Sequence, residues 1–182
     1  EEKGLHTTVK LNPTLLGPAE VRAILIDTLG FEVTVPDEAF VHDPEYDDAL
    51  GLIEALRRYA DSAGVAFAVK LTNTLVVANH RGVMPGQRMY LSGAPLHVLA
   101  VTLLDRLVEA LPGVLRVGGA RGDVPVAFSA GIDKENLADA VALGLEPVTI
   151  CSDLLRPGGY GRLAQALRRL TDRMKRDGRR DL

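Results

Sequence analysis

Val126-Ala127-Phe128-Ser129-Ala130-Gly131-Ile132-Asp133 and Pro147-Val148-Thr149-Ile150-Cys151-Ser152-Asp153 are two stretches of one design. In each, a short apolar run ends in small residues, and helix-like sequence follows. Such a run reads as a buried strand, and small residues at its end let a backbone approach a ligand closely. A helix that begins there directs unpaired N–H groups at the same point and favours an anion. Two such turns, one strand–helix unit apart, predict a phosphate gripped between them.

The same alternation runs upstream. Residues 5–11 read as a strand that stops at Asn12-Pro13. Residues 18–29 have helical spacing (Val21, Ile24, Leu25, Leu29) with Gly30 as cap, and residues 31–35 read as a second short strand. Residues 36–48 are acidic and read as a surface excursion, a solvated loop rather than a metal site. Residues 47–62 form an amphipathic helix closed by Gly64. Residues 65–71, Val-Ala-Phe-Ala-Val-Lys-Leu, are the apolar run of a strand buried on both faces.

Residues 76–88 read as a loop, and residues 89–91 as a short strand ending at Ser92-Gly93. A helix over 96–111 precedes a third brief strand at 115–117 or a lead into the glycine-rich run 118–122. After the first phosphate turn comes a helix over 134–143, and after the second a basic helix to about Arg176, beyond which residues 176–182 are expected to fray. Strands alternating with helices predict an α/β fold with a parallel sheet and right-handed crossovers. Two phosphate turns in succession belong above all to the last two strands of a (β/α)8 TIM barrel.

Composition narrows the function classes. With 182 residues the chain can bury a real core as a single domain. A net charge of −3 gives no footprint for nucleic acid, and 4% aromatics with no Trp leave no stacking platform. Its lone cysteine, Cys151, excludes an internal disulfide and a cysteine-ligated iron–sulfur cluster made by this chain alone. Nothing apolar is long enough to span a bilayer and no signal peptide is visible, so the expected compartment is the cytoplasm.

Several positions carry chemistry. Lys70 closes the 65–71 strand, where α/β folds bind ligands, and can pair with a phosphate, a flavin edge or an enolate; snorkelling at the sheet rim is the equal alternative. Asn12 ends the first strand, with a pre-proline turn cap as its simpler role. Gly93 admits a ligand or merely turns the chain. Cys151 reads by default as a buried, inert thiol, and the four histidines, His6, His42, His80 and His97, lie at no metal-ligand spacing.

These motifs resemble a known family. Lys70-Leu71-Thr72-Asn73 is similar to the lysine strand of dihydroorotate and dihydropyrimidine dehydrogenases, and Leu91-Ser92-Gly93-Ala94 to their serine–glycine turn. Ser129-Ala130-Gly131-Ile132-Asp133 and Ile150-Cys151-Ser152 resemble their FMN-phosphate turns. More narrowly, Leu5-His6-Thr7, residues 10–17, 69–74 and 89–93, and Leu155-Arg156-Pro157-Gly158-Gly159-Tyr160 resemble the barrel part of flavoproteins provisionally named selenate reductases.

The resemblance implies the C-terminal part of a TIM barrel, about five βα units, within a longer multi-domain protein. It implies an FMN cofactor, with Lys70 at the flavin's pyrimidine edge and Asn12, Thr72 and Asn73 facing flavin or substrate. Ser92, Gly93, Ser129, Ala130, Gly131, Cys151 and Ser152 would line the phosphate site. Implied partners are iron–sulfur and NAD(P)H/FAD modules of the same or another chain, or a second copy that completes the barrel. The dehydrogenases carry a Cys or Ser base shortly after the Asn12-like residue; Pro13, Thr14, Leu15 and Leu16 stand here, and leucine moves no proton. Asp153 beside the second turn would oppose a phosphate unless it turns away. The expectations are therefore an FMN-dependent oxidoreductase domain or, alternatively, a flavin-free scaffolding barrel of a redox complex.

Overall fold

A computed structural model describes residues 4–82, 84–119 and 121–179. β1 (Thr7–Leu11), β2 (Phe67–Leu71), β5 (Leu115–Arg116) and β6 (Val124–Phe128) form one parallel sheet in the order β1-β2-β6-β5. The register aligns Leu11 with Leu71 and Leu71 with Phe128. Alternation sends Leu11, Phe67, Val69, Leu71, Val124, Val126 and Phe128 into the core, each 8% exposed or less. The residues between them, Lys10, Lys70 and Ala127, share the opposite face, also in register.

The apolar face is covered by helices. α2 (Tyr46–Ala63) buries Ala49, Ile53 and Ala60 and ends at Gly64, whose φ of 66° suits a left-handed cap. α3 (Ala94–Ala110) turns Leu96, Leu99, Leu103 and Leu107 inward, one turn apart. The helix expected over 18–29 forms in two parts: α1 (Pro18–Arg22), then a wider π-helical stretch, Ala23–Thr28. α4 is only Leu137–Ala142, shorter than the 134–143 predicted, because residues 134–136 form a capped turn. α5 (Gly161–Arg176) follows as expected and packs on α4.

The structure corrects four local expectations. Residues 31–35 are not a strand: no neighbour supplies a ladder, and the segment is held instead by Arg22 Nη2 on Val35 O (2.7 Å) and Ala78 N on Thr34 O (2.9 Å). Residues 76–88 are not all loop. β3 (Leu75–Ala78) and β4 (Arg88–Leu91) form an antiparallel hairpin, because Leu75 and Val77 alternate into the core and the Gly/Pro signals mark only its connection. Residues 147–150 are no full strand either; a single bridge joins Val148 to Phe128. Asp177 to Arg179 do not fray, since Gly178 N and Arg179 N donate back to Lys175 O and Met174 O at 3.2 and 2.9 Å; residues 180–182 lie outside the described ones.

These differences also correct the expected succession of five βα units. β2 pairs directly with β6, so the 89–91 segment has no place in the parallel sheet and sits in the hairpin beside it. The fold is α/β with a parallel sheet. Among the described residues no helix is long and apolar enough to cross a membrane.

Candidate functional site

Because Leu11, Leu71 and Phe128 are in register, the residues that follow them emerge together: Asn12, Thr72 and Ser129. Backbone groups lace these strand ends. Thr72 Oγ1 donates to Leu11 O (2.8 Å), Asn73 N to the same oxygen (2.9 Å), and Ser129 N to Leu71 O (2.6 Å). Thr72 is therefore buried and turned into the fold, and the Ser129 amide is already used.

Asn12 and Asn73 meet at this mouth, Asn73 Nδ2 donating to Asn12 Oδ1 at 2.5 Å. Asn12 Nδ2 donates in turn to Asp43 Oδ1 (2.5 Å), and Thr14 Oγ1 donates to Asp43 Oδ2. Asp43 comes from the acidic 36–48 excursion, which is thus more than a solvated loop. Sequence reading missed it because its partner lies 31 residues away.

One residue back, Lys10 and Lys70 are register partners on neighbouring strands, about 4.8 Å apart in backbone. Neither forms an ion pair among the described residues. Lys10 also escaped the sequence reading; the alternation of Thr8 and Lys10 against Val9 and Leu11 is the signal that finds it.

A second group of residues forms beside the mouth. Gly93, Gly131 and Ser152 converge: a Cβ on Gly131 would lie 2.3 Å from Gly93 O, and one on Gly93 would lie 3.8 Å from Ser152 Cβ. Gly131 has φ 56° and Gly93 φ 76°, so both positions need glycine's freedom. The amides of Gly93, Ala130, Gly131, Cys151 and Ser152 find no acceptor among the described residues. Ser92 and Cys151 are exposed at the rim, so the expectation of a buried thiol at Cys151 does not hold: the chain leaves the sheet at Val148 and carries Cys151 outward.

His97, given no role from sequence, props this cluster. It lies one turn beyond Gly93 in α3, bonds Ala130 O through Nδ1 at 2.8 Å, and sets its ring edge-on to Phe128 with centroids 5.6 Å apart. The turn into α4 is closed to ligands. Asp133 Oδ1 accepts the amides of Glu135 and Asn136, and Asn136 Oδ1 accepts that of Asp133. The amides of Asp133, Glu135 and Asn136 are thus already used.

Asp153 does turn away from the cluster. It is 6% exposed and held by Arg162 from the first turn of α5, with Nε to Oδ2 at 3.0 Å and Nη2 to Oδ1 at 2.6 Å. The hydrogen bonds from Arg162 hold its carboxyl below the ordinary value, against the burial that would raise it. A planar guanidinium thus neutralises the Asp153 carboxylate.

Comparison with known proteins gives a consistent result. Residues 1–181 match the family described as oxidoreductase YgfK, N-terminal TIM-barrel domain. The chain is 42% identical over 171 residues to a protein described provisionally as oxidoreductase YgfK from Escherichia coli (strain K12), covering 93% of this chain and 16% of that protein. The counterpart in Escherichia coli O157:H7 matches to the same degree. The chain thus spans about a sixth of the length of these relatives. No solved structure matches.

Proposed function

The chain belongs to the family of YgfK oxidoreductase N-terminal TIM-barrel domains, and from that premise we propose that it is an FMN-dependent oxidoreductase domain working with other redox modules. One observation carries the reading: three turns, around Gly93, Gly131 and Ser152, converge beside a strand pair that bears two lysines, and neither their amides nor the lysines find a partner among the described residues.

The residues present fit the cofactor. Gly93, Ala130, Gly131, Cys151 and Ser152 would hold the phosphate through backbone donors, which suits a dianion better than scattered side chains. The Gly93–Gly131 approach leaves the space that a side chain would fill. Lys70 and Lys10 would meet the flavin ring, where a cation favours the anionic edge of the reduced form. Asn12 and Asn73 would offer amide contacts at the mouth, and Ser92 would lie at its rim. Thr72 and Ser129 would act through the strand-end lacing instead. When bound, FMN would supply the electron-carrying chemistry; the protein would supply position, backbone donors and positive charge.

The partners in this proposal are iron–sulfur and NAD(P)H/FAD modules, or a second copy of the chain that extends the sheet into a fuller barrel. An apolar groove of about 610 Å³ beside Val148, Ile150, Leu163 and Leu167 offers a surface for such packing. The second reading is a flavin-free scaffolding domain. Pro13, Leu15 and Leu16 favour it, since all three are buried and none transfers protons where the dehydrogenases keep a base. An absorbance spectrum of the full-length protein separates the two. A yellow protein that releases FMN on denaturation supports the first; a colourless one that takes up no FMN leaves the second.

A further inference from the structure

We propose that Asp43 sets the hydrogen-bonding polarity of the site mouth, so that Asn73 presents its side-chain oxygen as an acceptor to a ligand N–H or O–H. The proposal rests on the reading of the mouth as a ligand site. Its physical argument begins at Asp43. An ionised carboxylate only accepts, so the groups it meets must be donors. It takes Asn12 Nδ2 on Oδ1 and Thr14 Oγ1 on Oδ2. This fixes the Asn12 amide, whose Oδ1 must then face Asn73. An oxygen there needs a donor, so Asn73 turns Nδ2 to it, at 2.5 Å.

The amide that ends this relay keeps one acceptor in hand: Asn73 Oδ1 takes no hydrogen bond from the described residues, and no buried side-chain polar atom among them lacks a partner, so this oxygen is open at the mouth. Oxygen and nitrogen of an amide are otherwise interchangeable in outline; here the order is imposed by a charge two residues along the relay. The charge comes from the 36–48 excursion, so a segment outside the sheet decides what the strand ends can recognise.

A double-mutant cycle tests the relay without any ligand. Asn73→Asp puts a second pure acceptor against Asn12 Oδ1 and lowers the melting temperature. Asp43→Asn in the same chain lets the whole relay reverse, with Asn12 Nδ2 toward Asp at 73, and recovers most of that loss. Asn12→Ala abolishes the coupling between positions 43 and 73. Additive effects of the two substitutions, or coupling that survives Asn12→Ala, overturn the proposal. A ligand arm uses FMN: Asp43→Asn weakens its binding about tenfold, the worth of one well-placed hydrogen bond, and Asp43→Glu restores part of it. Unchanged FMN affinity in Asp43→Asn overturns the recognition part. A wild-type protein that binds no FMN overturns the flavin reading, while the cycle still decides the relay.

Discussion

Side chains make the mouth at the ends of β1 and β2; the lack of them makes the cluster of turns beside it. At the mouth, Asn12, Thr14, Asp43 and Asn73 form a chain of hydrogen bonds drawn from three separate segments. At the cluster, Gly93 and Gly131 touch through backbone, and the donors left over are amides. The first region tolerates change in proportion to the bonds it loses. The second fails when atoms are added, because close-packed backbone has nowhere to move.

The largest expected effect comes from adding atoms to the cluster. Gly131→Val combines a 2.3 Å clash against Gly93 O with a φ of 56°, and should cost roughly 3 kcal/mol or more, read as a large fall in the urea midpoint or loss of folded protein. A variant that unfolds like the wild type would show the cluster is looser than its geometry. Next is the pair behind it. Asp153→Asn strips Arg162 of its partner and should lower the midpoint clearly at neutral pH.

The same pair gives a pH signature. The Asp153 carboxyl titrates below its ordinary value of 3.8 in the folded chain, so its contribution is complete above 3.8 and disappears as pH falls through the lower folded value. Asp153→Asn should flatten that acid limb; an unchanged limb would assign it to other carboxylates. At the mouth, Lys70→Met and Lys10→Met should each weaken FMN binding about tenfold, and the double variant more than either. If only one lysine matters, the two-cation face is not a unit. The smallest effect is expected of His97→Phe, which keeps the edge contact with Phe128 and loses the bond to Ala130 O, for about 1 kcal/mol.

Periodicity made α2, α3 and α5 legible, and an unbroken apolar run made β2 so. The segments at 31–35 and 147–150 misled because a few β-branched and apolar residues specify an extended chain but not a neighbour to pair with. The hairpin was hidden by its own turn signals, Asn79, Gly82, Pro85 and Gly86, which follow directly on the four residues of β3. The glycines of the cluster stood out in sequence because small residues at strand ends have a local meaning. Asp43 and Lys10 did not, because their roles exist only across the register and across 31 residues of chain. Lys70 was visible only because it ended a buried run; its neighbour on β1 ends an exposed one.

Lys10 and Lys70 stand in register with no ion-pair partner among the described residues, although the chain as a whole carries a net charge of −3. Two like charges on adjacent strands load the folded state with a repulsion that ordinary electrolyte relieves. The fold should therefore gain firmness as ionic strength rises, and more from a multivalent anion than from chloride. Screening of the net charge acts in the same direction, so it is the part of the salt response lost in Lys10→Met, rather than the response itself, that reports on the pair.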